Sequence, residues 1–198
     1  MKHAVLNASP VIVLARAGYL DLIPKLVSSP VIPRAVANEI QAGRSDDPAV
    51  EFLSSANWLD IADLTPPLSP LAVWRLGQGE SEVLEYAQRS PGTIAVLDDK
   101  AARRLAVALS IPVVGTLGLL LAARQSRLLP SLQVAMDRVK SCGLFVDDAV
   151  AWRIISMGEY AALRASAWRS REEVAWITCC PWQRSCTRTA ASGRTDLR

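Results

Sequence analysis

A single histidine, His3, occurs in 198 residues. This excludes chemistry that needs two imidazoles from one chain, such as a His-rich zinc hydrolase site. A Ser-His-Asp triad would have to use His3 itself, and nothing near it resembles a nucleophile elbow. The four cysteines include no CxxC pair and have no neighbouring histidine. They suggest neither a zinc site nor a disulfide framework, and fit a reducing compartment. Apolar runs are short: none approaches the roughly 20 residues of a membrane span. The N-terminal MKHAVLNASP breaks its apolar stretch at Asn7, unlike a signal peptide. A cytoplasmic location and no membrane partner are therefore expected. Walker and dinucleotide fingerprints are also missing, as is any internal repeat.

What is present is a globular composition, 51% hydrophobic and 21% charged, long enough for one domain with its own core. The net charge of +3 is misleading. From Arg164 onward seven arginines face only Glu172, Glu173 and Asp196, so the tail carries +4 and the remainder −1. The basic balance belongs to the tail and does not argue that the body binds nucleic acid. The same tail concentrates tryptophan and cysteine and loses periodicity. Residues 1–160 are thus expected to form the domain, and 161–198 a poorly ordered C-terminal extension.

Hydrophobic patterning predicts short strands alternating with helices. Strands are expected at 3–8, 30–33, 58–61, 93–97 and 112–114. Helices are expected from Ser9, as N-cap, to a stop at Gly18, then at 19–27, 33–42, 48–56, 79–89, 99–109, 117–127, 130–141 and 147–158. Leu76–Gly79 reads as a turn, and Thr65–Pro70 as a loop. Such alternation implies an α/β fold: a mostly parallel central sheet flanked by helices.

In open parallel sheets, sites form beyond the carboxyl ends of strands. Asn7 ends the first strand, and Asp98 and Asp99 end the fourth. Either they serve a site or they merely cap helices, for which Asn and Asp are well suited. Glu80 is more pointed. At about 100° per helical residue, it falls in the middle of the apolar stripe of Val83, Leu84 and Ala87, while Glu82 and Glu85 fall on the opposite side. An inward carboxylate is costly unless it is paired, binds a cation or caps the helix N-terminus. Glu39 borders the buried face of its helix and, taken alone, reads as a solvated residue more than as a ligand. An amide and several carboxylates in this arrangement suit Mg²⁺ or Mn²⁺, and metal-assisted phosphodiester hydrolysis needs neither His nor Cys.

Five stretches carry a family resemblance: Asn7-Ala8-Ser9-Pro10-Val11-Ile12; Val31-Ile32-Pro33 with Val36 and Glu39; Leu76-Gly77-Gln78-Gly79-Glu80-Ser81-Glu82; Leu97-Asp98-Asp99 with Arg103; and Ile111 to Gly118 (IPVVGTLG). On these the chain, over about residues 3 to 160, resembles the PIN-domain family, and more narrowly its prokaryotic VapC-like members. The resemblance implies a PIN-like fold and a ribonuclease with a Mg²⁺- or Mn²⁺-binding acidic pocket. Glu39, Glu80 and Asp99 match the family's catalytic and metal-binding acids, with Asn7 and Asp98 as further metal ligands. Ser9 matches the small hydroxyl residue beside the first acid. Arg103 and Arg104 could contact substrate phosphates, or form a solvated helix face. The chain departs from the family at Asn7, where most members carry Asp. RNA is the implied substrate, a small cognate antitoxin the implied partner of a toxin, and a homodimer the expected assembly. The alternative from another class is a catalytically silent PIN fold that binds RNA or protein.

Overall fold

The computed structural model describes residues 1, 3–64, 76–147 and 149–157. The expected Thr65–Pro70 loop, the domain boundary at 160 and the extension 161–198 lie outside these residues.

Strands β1 (His3–Leu6), β2 (Ser29–Pro33), β3 (Asp60–Ala62), β4 (Ile94–Val96) and β5 (Val113–Val114) alternate with helices α1 (Ala8–Arg16), α2 (Leu22–Leu26), α3 (Arg34–Gln41), α4 (Pro48–Ser55), α5 (Gln78–Arg89), α6 (Lys100–Ala108), α7 (Thr116–Gln125) and α8 (Leu132–Ser141). Residues 149–157 are also helical. The five strands form one sheet in the order β3-β2-β1-β4-β5, with every pair parallel. The chain builds outward from β1 through β2 to β3, then returns to place β4 on the other side of β1. The boundary between β1 and β4 is therefore a topological switch point, where a crevice opens at the carboxyl edge.

The sequence explains which strands are central. Ala4, Val5, Leu6, Ala95, Val96 and Leu97 are fully buried, as continuous apolar runs covered on both faces must be. Edge strand β3 is largely exposed. The expected strand at 58–61 accordingly shifts to 60–62: Trp58 precedes it and packs its ring against Phe52 of α4. Helix α1 stops as expected. Gly18 takes φ +72°, its N–H donates to Ala15 O, and Tyr19 N–H donates to Leu14 O at 2.8 Å, a Schellman closure. The start of α1 differs: its N-cap is Asn7, not Ser9, because the strand ends at Leu6 and Asn7 N–H bonds to Val96 O at 3.1 Å. Gly79 is not in a turn but in the first helical turn of α5.

Asp47 joins two elements. As N-cap of α4 it accepts from Ala49 N–H at 3.0 Å, and it accepts a forked pair of bonds from Arg16 of α1 at 3.0 and 2.6 Å. Burial raises its pKa, but the Ala49 N–H and the Arg16 guanidinium outweigh this and leave it lowered. We expect Asp47→Ala to cost about 1–2 kcal/mol in urea unfolding, mostly from the lost cap. A group with a depressed folded pKa stabilises above its unfolded value. The penalty should thus be full above the ordinary 3.8 and vanish as pH falls through the lower folded value.

Candidate functional site

Asn7 follows β1 at the switch point, 1% exposed. Although it is the N-cap of α1, its side chain makes no capping bond. Its Nδ2 instead donates to Glu80 Oε1 across the sheet edge at 3.0 Å. Its Oδ1 is buried and meets no hydrogen-bond donor among the described residues, a situation that ordinarily costs about 1–3 kcal/mol.

Gly79 of α5 shows what that oxygen faces. The point where a Cβ on residue 79 would sit lies 3.1 Å from Asn7 Oδ1, 2.9 Å from Glu39 Oε2 and 3.3 Å from Val36 Cγ2. Two side-chain oxygens thus pack so closely on Gly79 that any side chain there would crowd both. Glu39 lies on the exposed side of α3, yet its carboxyl pKa is raised, first by burial of the carboxyl and second by the Glu80 carboxylate. Glu80 is half-buried and follows Gly77, the N-cap of α5. A Cβ at Gly77 would collide with Glu80 Oε2, so that glycine admits the carboxylate over the helix N-terminus. Both roles foreseen for Glu80, inward placement and proximity to the helix dipole, are present together.

The structure therefore brings Asn7, Glu39 and Glu80 together. Asp98 and Asp99 lie at the same sheet edge, since Asn7 bonds to the residue before Leu97, but each is engaged at a helix start. Asp98 accepts from Thr116 N–H at 2.8 Å through Oδ1 and from Thr116 Oγ1–H at 2.6 Å through Oδ2, holding the first residue of α7. Asp99 caps α6 by accepting from Ala102 N–H at 2.8 Å and is exposed. Arg103 donates to Leu97 O at 3.3 Å, and its Nη1 and Asp98 Oδ1 both lie where a Cβ on Gly115 would sit. Ser9 and Arg104 are exposed on α1 and α6.

Three features escaped the sequence reading. Gly79 lets the Asn7 and Glu39 oxygens pack against α5; its place just before an inward carboxylate was an available signal. Glu82, expected to face solvent, accepts from Ala35 N–H of α3 at 3.0 Å. Glu85, expected on the same polar side, is buried and ion-paired with Arg89. For these two, helical angle alone gave no warning, because α5 is covered on more than one side.

Among the described residues, no three His, Cys, Asp or Glu side chains gather closely enough to hold a metal. The Asn7 carbonyl oxygen supplies what the two carboxylates lack. An amide oxygen without a donor and two carboxylates form an all-oxygen set suited to a hard divalent cation, which commonly takes one or two carboxylates and keeps several waters. The donors present thus fit Mg²⁺ or Mn²⁺.

No helix among the described residues is long and apolar enough to cross a membrane. A family model described as a PIN domain matches residues 3–159. No curated protein matches the chain.

Proposed function

From its membership of the PIN-domain family, to which this chain belongs, we propose that it is an endoribonuclease dependent on Mg²⁺ or Mn²⁺. The family fold is of nuclease type. The observation that carries the finer reading is the buried Asn7 Oδ1, unpartnered and packed with Glu39 Oε2 against Gly79. Asn7, Glu39 and Glu80 would hold the cation, with Asp99 at the rim. The bound cation would supply charge that stabilises developing negative charge on phosphate oxygens and eases deprotonation of water. The protein's own residues arrange this chemistry. Asn7 Nδ2 fixes the Glu80 carboxylate by its hydrogen bond. The raised pKa of Glu39 reflects a burial and repulsion that a cation would relieve. Asp98 anchors the start of α7 beside the site through both of its oxygens. Arg103 and Arg104, on α6, would meet substrate phosphates.

A toxin role with a small antitoxin, a homodimer and a cytoplasmic location belong to the same proposal. One observation favours the second reading, a silent fold that binds RNA or protein: Asn7 brings a neutral amide to the site, and its Nδ2 occupies Glu80 Oε1. The two separate in one experiment. A pool of random single-stranded RNA is incubated with the full chain and Mn²⁺, with and without chelator. Cleavage that the chelator abolishes supports the nuclease. RNA retention without cleavage, at saturating Mn²⁺, supports the silent module.

A further inference from the structure

Helix α3 carries Glu39 but has no cap of its own. Its N-cap is Pro33, which makes no side-chain cap bond and cannot donate from its backbone. The first N–H groups of a helix need partners from elsewhere. One comes from another helix: Glu82 of α5 accepts from Ala35 N–H through Oε2 at 3.0 Å, while its Oε1 accepts from Gln78 Nε2 at 3.1 Å. Gln78 therefore steadies the carboxylate one turn after it, and Glu82 presents a negative charge to the positive end of α3.

This tie joins the two helices that carry the carboxylates of the site. Glu39 lies four residues after Ala35, one turn further along the same side of α3. Glu80 lies two residues before Glu82 on α5. Next to the tie, Val36 approaches Gly79 closely, so α3 and α5 are in contact beside the Glu39 carboxylate. A shift of α3 along α5 would move Glu39 relative to both Asn7 Oδ1 and Glu80. We propose that Glu82 is a positioning residue: by capping α3 from α5, it sets the separation of Glu39 from Asn7 and Glu80, and so the affinity of the site for a divalent cation. This inference rests on the reading of Asn7, Glu39 and Glu80 as cation ligands. The hydrogen bonds of Glu82 go to Ala35 and Gln78 and not to the site oxygens, so it acts through the helix it caps.

Glu82→Ala and Glu82→Gln separate positioning from bulk stability. Gln keeps an acceptor for the Ala35 N–H at nearly the same volume, whereas Ala removes it. With the full chain and Mn²⁺ alone as probe, calorimetry should show affinity reduced about tenfold in E82A, the scale expected when a ligand's orienting partner is lost, and largely restored in E82Q. Hydrogen exchange of the Ala35 amide, measured without metal, should accelerate in E82A and stay near the wild-type rate in E82Q. If E82A speeds that exchange and lowers the urea midpoint but binds Mn²⁺ as the wild type does, Glu82 is only a structural cap and the proposal is overturned. If E82Q fails to restore affinity while protecting Ala35, capping is not what the site requires, with the same consequence. A wild-type chain that binds no Mn²⁺ refutes the cation reading itself, and the positioning role with it.

Discussion

Asn7→Asp should make the metal-free protein less stable and its stabilisation by Mn²⁺ larger. The side chain is 1% exposed and donates from Nδ2 to Glu80 Oε1 at 3.0 Å. An aspartate cannot donate there. It replaces a hydrogen bond with two carboxylates in contact, leaving buried groups unsatisfied at a cost of about 1–3 kcal/mol. For a chain of this size, each kcal/mol moves the melting temperature by about 2–4 °C, so the metal-free midpoint should fall by several degrees. Volume hardly changes, so packing contributes little. With Mn²⁺ the sign reverses. The new charge replaces a neutral amide among the ligands, and hard cations prefer carboxylate oxygen. A ligand at 100 times its Kd stabilises by about 2.7 kcal/mol, and tighter binding enlarges that term at the same concentration. RNA cleavage by the variant should rise with it. Thermal unfolding with and without Mn²⁺ checks the prediction. An unchanged Mn²⁺-dependent shift would mean that Asn7 does not line a cation site.

Gly79→Ala should act in the opposite way, removing cation binding while leaving the fold intact. The added methyl would occupy the point 2.9 Å from Glu39 Oε2 and 3.1 Å from Asn7 Oδ1. The tip of Glu39 is flexible and can swing away, but Asn7 is buried and tied to Glu80, and Val36 Cγ2 at 3.3 Å must give slightly. In the first turn of α5, alanine also gains up to about 1 kcal/mol of helix propensity over glycine. Gain and crowding nearly offset, so the metal-free stability should stay within about 1 kcal/mol of wild type. The Mn²⁺-dependent rise in melting temperature should vanish, and metal-dependent cleavage should fall by on the order of 100-fold, the scale of losing preorganised charge stabilisation. Retained cleavage in this variant would place the chemistry away from the Asn7–Glu39 spot.

Much of this architecture could be read from local pattern. Strands β1 and β4 were visible because both are central, and their residues are apolar without interruption. Gly18 announced the end of α1 because a left-handed residue is needed there. Glu80 was recognisable as inward-facing because the apolar stripe of α5 brackets it. The missing parts depend on contacts distant in sequence. Asp98 reads as a turn residue or ligand until Thr116, 18 positions later, is seen to occupy both of its oxygens. Glu82 looks solvated until α3 is found with its N-terminus against it. Ser9 looked like the better cap because the backbone bond from Asn7 to Val96, which starts α1 earlier, belongs to the sheet and not to the helix. Edge strand β3 was misplaced by two residues because exposure removes the apolar signal and Trp58 packs on α4 instead.

The central claim is that Asn7 Oδ1, Glu39 and Glu80 form a cation site packed against Gly79, where any side chain would crowd the Asn7 and Glu39 oxygens. Calorimetric titration of Mn²⁺ into the wild-type chain and Gly79→Ala, at the same pH and ionic strength, tests it most directly. Saturable binding to the wild type that disappears in the variant, with both proteins unfolding cooperatively at similar temperatures, is the expected result. Equal binding by the two proteins, or none by the wild type, would contradict it.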